Sequence, residues 1–219
     1  PPGYTPAGAA AGARSELADA PWDEGADPWA SAPYHLVGLL QPGLQRVGAD
    51  DVVLDGQAYS CLDVGDGVVA PRVAPVDRVY AYPGPGRAGV APAEVARELP
   101  GTPGDRVGLP EGTETGPHLI VWPDGPSFAA PGSVRLVEGS LRGPDGEVDV
   151  RWVPDPAWGA VIGVPSAPLR ELAGYDAHVV VVPRSIPMMT PSRRIASGAI
   201  SGRLSSSSVD RSLPGLKGS

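Results

Sequence analysis

The sequence has one cysteine, one lysine, one phenylalanine and no asparagine. The single cysteine, Cys61, cannot form an intramolecular disulfide, which excludes the disulfide-stabilised class of small domains and leaves the redox compartment open. No apolar run approaches the roughly 20 residues that a membrane-spanning helix needs, so the sequence predicts no membrane segment. The first 20 residues lack the basic and then apolar order of a signal peptide, although a leader already removed would leave no trace. The cellular location therefore stays open.

Excess positive charge is also missing. The net charge is −8 and the pI is near 4.8. Because nucleic-acid phosphates require a basic surface, this balance argues against general nucleic-acid binding. The hydrophobic fraction of 42% is ordinary for a folded protein, but 30 Gly and 28 Pro in 219 residues are typical of irregular backbone. The composition predicts a modest core carried on long irregular connections.

Both ends of the chain differ in composition from the middle. Residues 1–33 are rich in Pro, Gly and Ala and carry five acids from Glu16 to Asp27, which predicts an extended acidic arm. Residues 190–219 are basic and rich in Ser and Gly, which predicts a second arm. Within these arms we expect five residues to bind protein, either another subunit or, for the two tryptophans, the chain's own core: Trp22, Trp29, Arg193, Arg194 and Arg203.

The middle, residues 34–189, shows repeated β-signals. A hairpin is predicted where two strands flank Asp55-Gly56, because this dipeptide suits the positive-φ positions of a tight turn. Val148, Val150 and Trp152 alternate with charged residues, which predicts a half-buried strand over 147–153. Further strands are predicted at 51–54, 57–64, 76–82, 118–122, 134–141, 160–164 and 177–182.

Helical signals are few. Pro92 followed by Ala93–Leu99 predicts a short helix inside a long Pro/Gly-rich loop at about 83–117. Ser166 as N-cap and Gly174 as C-terminal glycine predict a second short helix over 166–173. We therefore predict a mainly β fold: a small β-sandwich or barrel-like core of short antiparallel strands, with one or two short helices and long irregular Pro/Gly-rich arms.

Residues with catalytic or metal-binding chemistry are scattered. The histidines His35, His118 and His178 have no helical partner spacing, and there is no CxxC pair, phosphate-binding glycine loop or nucleophile elbow. A shared site of His118, His178 and Cys61 is the functional alternative to plain strand-edge histidines, which we prefer. Asp55, Asp63 and Asp66 lack the order of a calcium loop, and turn formation explains them more simply. We predict no cofactor, no metal and no enzymatic activity.

Two oppositely charged arms beside a β-core suit contacts between subunits. We expect a structural component of a large protein assembly, in its concrete form a virion protein of a tailed bacteriophage (capsid decoration, neck or tail), with other subunits, the same or different, as partners and a homo-oligomer expected. This form rests on analogy between architectures. The alternatives are a stand-alone β-rich binding module for carbohydrate or protein, and an enzyme whose site residues are scattered, using Asp or Glu with His118 or His178.

Overall fold

The structure, a computed structural model, describes residues 5–21, 28–29, 31–68, 76–98, 101–129, 132–184 and 198–205. These residues form mainly β-strands, which confirms the predicted fold class. The helices are α1 (Pro6–Gly12) and α2 (Pro33–Leu40), with short 3-10 turns at Gly65–Gly67, Pro103–Val107 and Pro126–Phe128. The strands are β1 (Ser15–Ala18), β2 (Gly48–Leu54), β3 (Gln57–Asp63), β4 (Arg78–Tyr82), β5 (Glu94–Val95), β6 (Glu114–Thr115), β7 (Leu119–Asp124), β8 (Val134–Gly143), β9 (Gly146–Val148), β10 (Val150–Asp155), β11 (Ala160–Pro165), β12 (Gly174–Pro183) and β13 (Gly198–Ser205).

Two four-stranded antiparallel sheets form a sandwich. One has the strand order β10-β11-β7-β4 and the other has the order β13-β12-β8-β9. Their facing side chains are mostly β-branched or leucine, as expected for strands with one buried surface. The buried residues between the sheets are Leu119, Val121 and Val161 from the first sheet, and Leu141, Tyr175, Val179 and Val181 from the second.

The chain passes from one sheet to the other at Asp149. The sequence predicts one strand over 147–153, but β9 pairs with β8 and β10 pairs with β11. The predicted alternation is confirmed across this crossing, because Val148, Val150 and Trp152 pack against the sandwich core while Arg151 is exposed. Trp152 lies directly opposite Gly163 on β11, and its indole also lies beside Gly139 on β8. The two glycines make room for this indole between the sheets.

The outer surface of the first sheet is covered by α2 and by the turn at Pro103–Val107. Leu36 and Val37 of α2 pack on β10 and β11, so all six residues of β11 are buried. The sequence did not predict α2, because Gly38 and Pro42 suggested broken backbone. Pro33 occupies the first turn of the helix, where its missing N–H costs nothing, and Gly38 lies within the helix.

Both predicted helices are wrong. Residues 93–98 contain β5, which pairs with β6, and residues 166–173 are irregular. In the first segment, the glutamate side chains contact other parts of the chain, Glu94 at His118 and Glu98 at Tyr34. In the second, the backbone N–H of Leu169 donates to the carbonyl of Pro92. Tertiary contacts override weak helix propensity in both places.

A third sheet has the order β1-β3-β2. The hairpin of β2 and β3 is confirmed, with Asp55 at φ 52° and Gly56 at φ 81° in its two-residue turn. The side of this sheet that faces the protein carries Leu62, which packs with Trp29 and Val64 in a small separate cluster. This sheet therefore contributes one surface to a core and leaves its other surface outside.

The described parts of the two segments in which the sequence predicts arms contain regular secondary structure. Thr5 caps α1 by accepting a hydrogen bond from the N–H of Gly8, and β1 pairs with β3 along its whole length. Arg14 forms ion pairs with Asp63 at 3.5 Å and Asp66 at 3.0 Å. At the other end, β13 pairs with β12 over eight residues. Backbone hydrogen bonds to neighbouring strands account for this order, and composition does not predict them.

Candidate functional site

The predicted binding residues lie in different parts of the molecule. Trp29 is 1% exposed and packs on Leu62 and Val64, so this tryptophan binds the chain's own core. The backbone of Arg203 lies in β13, opposite Asp176. The other three predicted residues, Trp22, Arg193 and Arg194, lie outside the described residues. Trp29 is therefore a core residue and is not part of an outward binding surface.

The N-terminus of α2 carries a cluster of ionisable groups. The carboxylate of Glu98 accepts hydrogen bonds from the backbone N–H groups of Tyr34 at 3.0 Å and His35 at 3.4 Å. Burial raises the pKa of Glu98 to about 7 despite these bonds. Nδ1 of His35 donates to the carboxylate of Glu16, and this hydrogen bond raises the pKa of His35. These contacts join β1, α2 and the segment after β5, so the cluster has a structural role.

A second ionisable pair lies at the wall of a cleft of about 470 Å³. Its lining includes Tyr82, Arg87, Glu94 and His118. The backbone N–H of His118 donates to Glu94 at 3.0 Å, and Nδ1 of the same residue contacts the same carboxylate. Burial lowers the pKa of His118 to about 4, so its imidazole is neutral at pH 7. Among the described residues that line this cleft there is no serine, threonine or cysteine.

The three histidines do not share a partner. His35 contacts Glu16, His118 contacts Glu94, and His178 lies 3.9 Å from Glu138. Across the described ranges, no group of three or more His, Cys, Asp or Glu side chains has the geometry to hold a metal. The alternative site of His118, His178 and Cys61 is thus not assembled in this structure.

The third sheet presents an apolar surface to solvent. In the strand register, Leu17 lies opposite Cys61, and Val52 lies opposite Tyr59. Because side chains alternate between the two sides of a sheet, these four side chains point to the same side as Leu54. Leu17, Val52, Leu54 and Tyr59 are between 41% and 56% exposed. We call these five residues, Leu17, Val52, Leu54, Tyr59 and Cys61, the hairpin face. They are contiguous across three strands, and an exposed apolar patch of this kind marks an interaction surface more often than it is left bare.

Negative charge surrounds the hairpin face. Residues 47–68 contain five aspartates and no lysine or arginine. Arg14 pairs with Asp63 and Asp66, whereas Asp50, Asp51 and Asp55 have no ion-pair partner among the described side chains. The hairpin face is therefore apolar with two unpaired acids at its border, Asp50 on the same side of the sheet and Asp55 in the turn, and it is complementary to an apolar surface that carries basic residues.

Away from the hairpin face, Tyr80, Tyr82 and Trp158 are also exposed aromatic side chains. Trp158, 39% exposed, contacts Trp122 edge to face with ring centroids 6.5 Å apart. An angle of 67° between the two rings prevents them from forming one flat platform.

No protein-family model matches the chain, and no curated protein matches it. Among the described helices, none is long and apolar enough to cross a membrane. The site assignment therefore depends on the geometry alone, in which the hairpin face is an exposed apolar surface that no described element covers.

Proposed function

We propose that this chain is a structural subunit of a larger protein assembly and that it contacts a neighbouring subunit through the hairpin face. The observation that carries the proposal is the set of contiguous, outward apolar side chains on one side of the β1-β3-β2 sheet. Burying such groups contributes about 25 cal/mol per Å² of apolar area removed from water. A partner that covers the hairpin face would therefore gain this free energy on association.

The aspartates beside the hairpin face indicate the charge of the partner surface. Asp50 lies on the same side of the sheet as Val52, and Asp55 lies in the adjacent turn; neither has an ion-pair partner among the described side chains. An interface between two identical hairpin faces would bring these like charges together and is therefore disfavoured. A basic and apolar surface on the neighbouring subunit avoids this repulsion and adds attraction during association. The narrower form of the proposal, a virion protein of a tailed bacteriophage, continues to rest on analogy between architectures.

A second candidate function, a binding module for a small molecule, is favoured by the cleft between Tyr82 and His118. It ranks second because Glu94, on the cleft wall, already accepts a hydrogen bond from the backbone N–H of His118, so this carboxylate has a partner within the chain. An enzyme is the third candidate, because the described lining of this cleft brings no serine, threonine or cysteine beside His118.

The test measures the mass of the native particle for two valine substitutions, each made in cells that produce the assembly. Val52 on the hairpin face is 47% exposed and Val137 on β8 is 52% exposed, so Val137→Ser is a matched control for Val52→Ser. We expect the native particle to exceed the mass of one subunit, measured by size-exclusion chromatography with light scattering. Val52→Ser should shift the population toward that mass, and Val137→Ser should not. A wild-type particle of one subunit mass, or equal effects of the two substitutions, would refute the proposal.

A further inference from the structure

The free edge of β2 suggests how the neighbouring subunit binds. β3 lies between β1 and β2, so one side of β2 has no strand beside it in the described structure. All seven residues of β2 are exposed. An uncovered edge with this length of backbone presents unpaired N–H and C=O groups, which can pair with a strand from another chain.

The hairpin register identifies which backbone groups of β2 face the free edge. The two-residue turn at Asp55-Gly56 makes Leu54 and Gln57 the first pair of the ladder, and hydrogen-bonded pairs then alternate with non-bonded pairs. Val52 and Asp50 therefore direct their backbone groups toward β3. Ala49, Asp51 and Val53 direct their N–H and C=O groups toward the free edge, where the Asp51 N–H donates to Oδ1 of Asp50 at 3.1 Å. An added strand would replace this local hydrogen bond with a backbone one.

The side chains of β2 then constrain the sequence of the added strand. Asp50 and Asp51 occupy one half of the exposed edge, and Val52, Val53 and Leu54 occupy the other half. Directly opposite residues on neighbouring strands contact each other, so aspartates favour basic partners and the apolar half favours apolar partners. An antiparallel strand would carry its apolar residues first and its basic residues after them.

We infer that β2 accepts an extended strand from the neighbouring subunit, with an apolar half followed by a basic half. This inference rests on the proposed function, since it names the contact made beside the hairpin face. The added strand extends the β1-β3-β2 sheet to four strands. Its apolar side chains on the outer side then lie next to Val52 and Leu54 and enlarge the covered apolar surface.

The first test uses the full chain and a synthetic peptide, acetyl-TVIVKKT-amide, followed by NMR hydrogen exchange. We expect the peptide to slow exchange of the Ala49, Asp51 and Val53 amides, while the Asp50 and Val52 amides, already bonded to β3, change little. The charge-inverted peptide, acetyl-TVIVEET-amide, should leave all five amides unchanged. Absence of binding by the first peptide, or equal protection of all five amides, would overturn the inference.

A variant separates strand pairing from simple charge attraction. Ala49→Pro removes one edge-facing N–H, keeps every aspartate and every residue of the hairpin face, and does not touch the bonds to β3. We expect it to weaken binding of the basic peptide about tenfold. Unchanged binding would mean that charge alone attracts the peptide and would overturn the inference. Because the exchange pattern is measured on the wild-type chain, the test does not depend on the folding of this variant.

Two further outcomes distinguish this inference from the proposed function. If Val52→Ser dissociates the native particle but the peptide does not protect the edge amides, the hairpin face is an interface and the strand contact is wrong. If the isolated chain forms a dimer through its own β2 edges, seen as protection of the same amides without peptide, the edge belongs to a second copy and the inference also fails.

Discussion

Val52 on β2 lies directly opposite Tyr59 on β3, and both side chains point away from the protein. On the other side of the same strands, Ser60 and Leu62 are buried. The hairpin therefore has apolar residues on both sides, and among the described residues only one of these sides packs against another part of the chain. One apolar side is enough to pack this sheet onto the protein. The second apolar side is exposed to solvent, and it is the basis of the proposed interface.

The packing of Trp152 against Gly139 gives the first prediction. A Cβ added to Gly139 would lie 2.5 Å from the indole ring, whereas one added to Gly48 on β2 would meet its nearest atom at 3.6 Å. Gly139→Ala should lower the free energy of unfolding by about 1–3 kcal/mol, because the sandwich core cannot accommodate the methyl group without moving the indole. Urea denaturation measures the change, and Gly48→Ala is the control, expected within about 0.5 kcal/mol of wild type.

Equal stability losses for these two glycine variants would mean that Trp152 does not fill the space between the sheets. A loss for Gly48→Ala alone would place the strain in the hairpin instead.

Glu98 gives a pH-dependent prediction. Burial raises its pKa to about 7 in the folded protein from 4.5, so the folded state binds this proton more tightly than the unfolded chain does. Its contribution to stability is therefore complete below about pH 4.5 and is lost as the pH rises to about 7. Glu98→Gln keeps a carbonyl acceptor for the N–H of Tyr34 and carries no charge. The stability of this variant relative to wild type should rise between these two pH values, by on the order of 1–3 kcal/mol.

Glu147→Gln, at an exposed glutamate of β9, is the control for this pH series. A constant difference in unfolding free energy between Glu98→Gln and wild type, from pH 4 to pH 8, would show that Glu98 is not held protonated by burial.

The two paired histidines should titrate on opposite sides of the ordinary histidine value of 6.5. The hydrogen bond to Glu16 raises the pKa of His35, and burial lowers the pKa of His118 to about 4. NMR titration of the two imidazole rings measures both values, with His35→Gln and His118→Gln used to assign the signals. If His118 becomes protonated above pH 6, its ring is solvated or its charge is stabilised by Glu94, and the neutral assignment is wrong.

The absence of a side chain at Gly38 leaves room for Glu16 of β1 to reach His35 of α2. The carboxylate of Glu16 lies against Gly38, where an added Cβ would displace it from His35. Gly38→Ala should therefore loosen β1 and speed tryptic cleavage after Arg14, which directly precedes this strand. Gly12→Ala is the matched control, because a Cβ at Gly12 has no atom within 4 Å. Equal cleavage rates in both variants would mean that Glu16 does not hold β1 in place.

The sequence predicts the sandwich better than it predicts the surfaces. Turn dipeptides such as Asp55-Gly56 and the alternation around Trp152 are local signals, and both were sufficient to place strands. The contact of Glu98 with Tyr34 joins residues 64 positions apart. No local pattern carries that information, so helix propensity at 93–99 gave the wrong element.

The hairpin face was not predictable for a related reason. In β3, one side carries Ala58 and Leu62 and the other carries Tyr59 and Cys61, so both sides are apolar and no alternation indicates which one is buried. Only the packing of Leu62 on Trp29 decides the matter. The sequence signal that could have indicated an interface is the run of unpaired aspartates beside apolar residues at 50–55.

The most direct test of the central claim uses Cys61, the chain's only cysteine, which lies within the hairpin face. A thiol reagent therefore reports on one position of the interface. We predict that Cys61 in the native particle reacts much more slowly with a maleimide than Cys61 in the folded, isolated subunit, because the neighbouring subunit covers it. Equal reaction rates in the particle and the isolated subunit would contradict the assignment of the hairpin face as the contact surface.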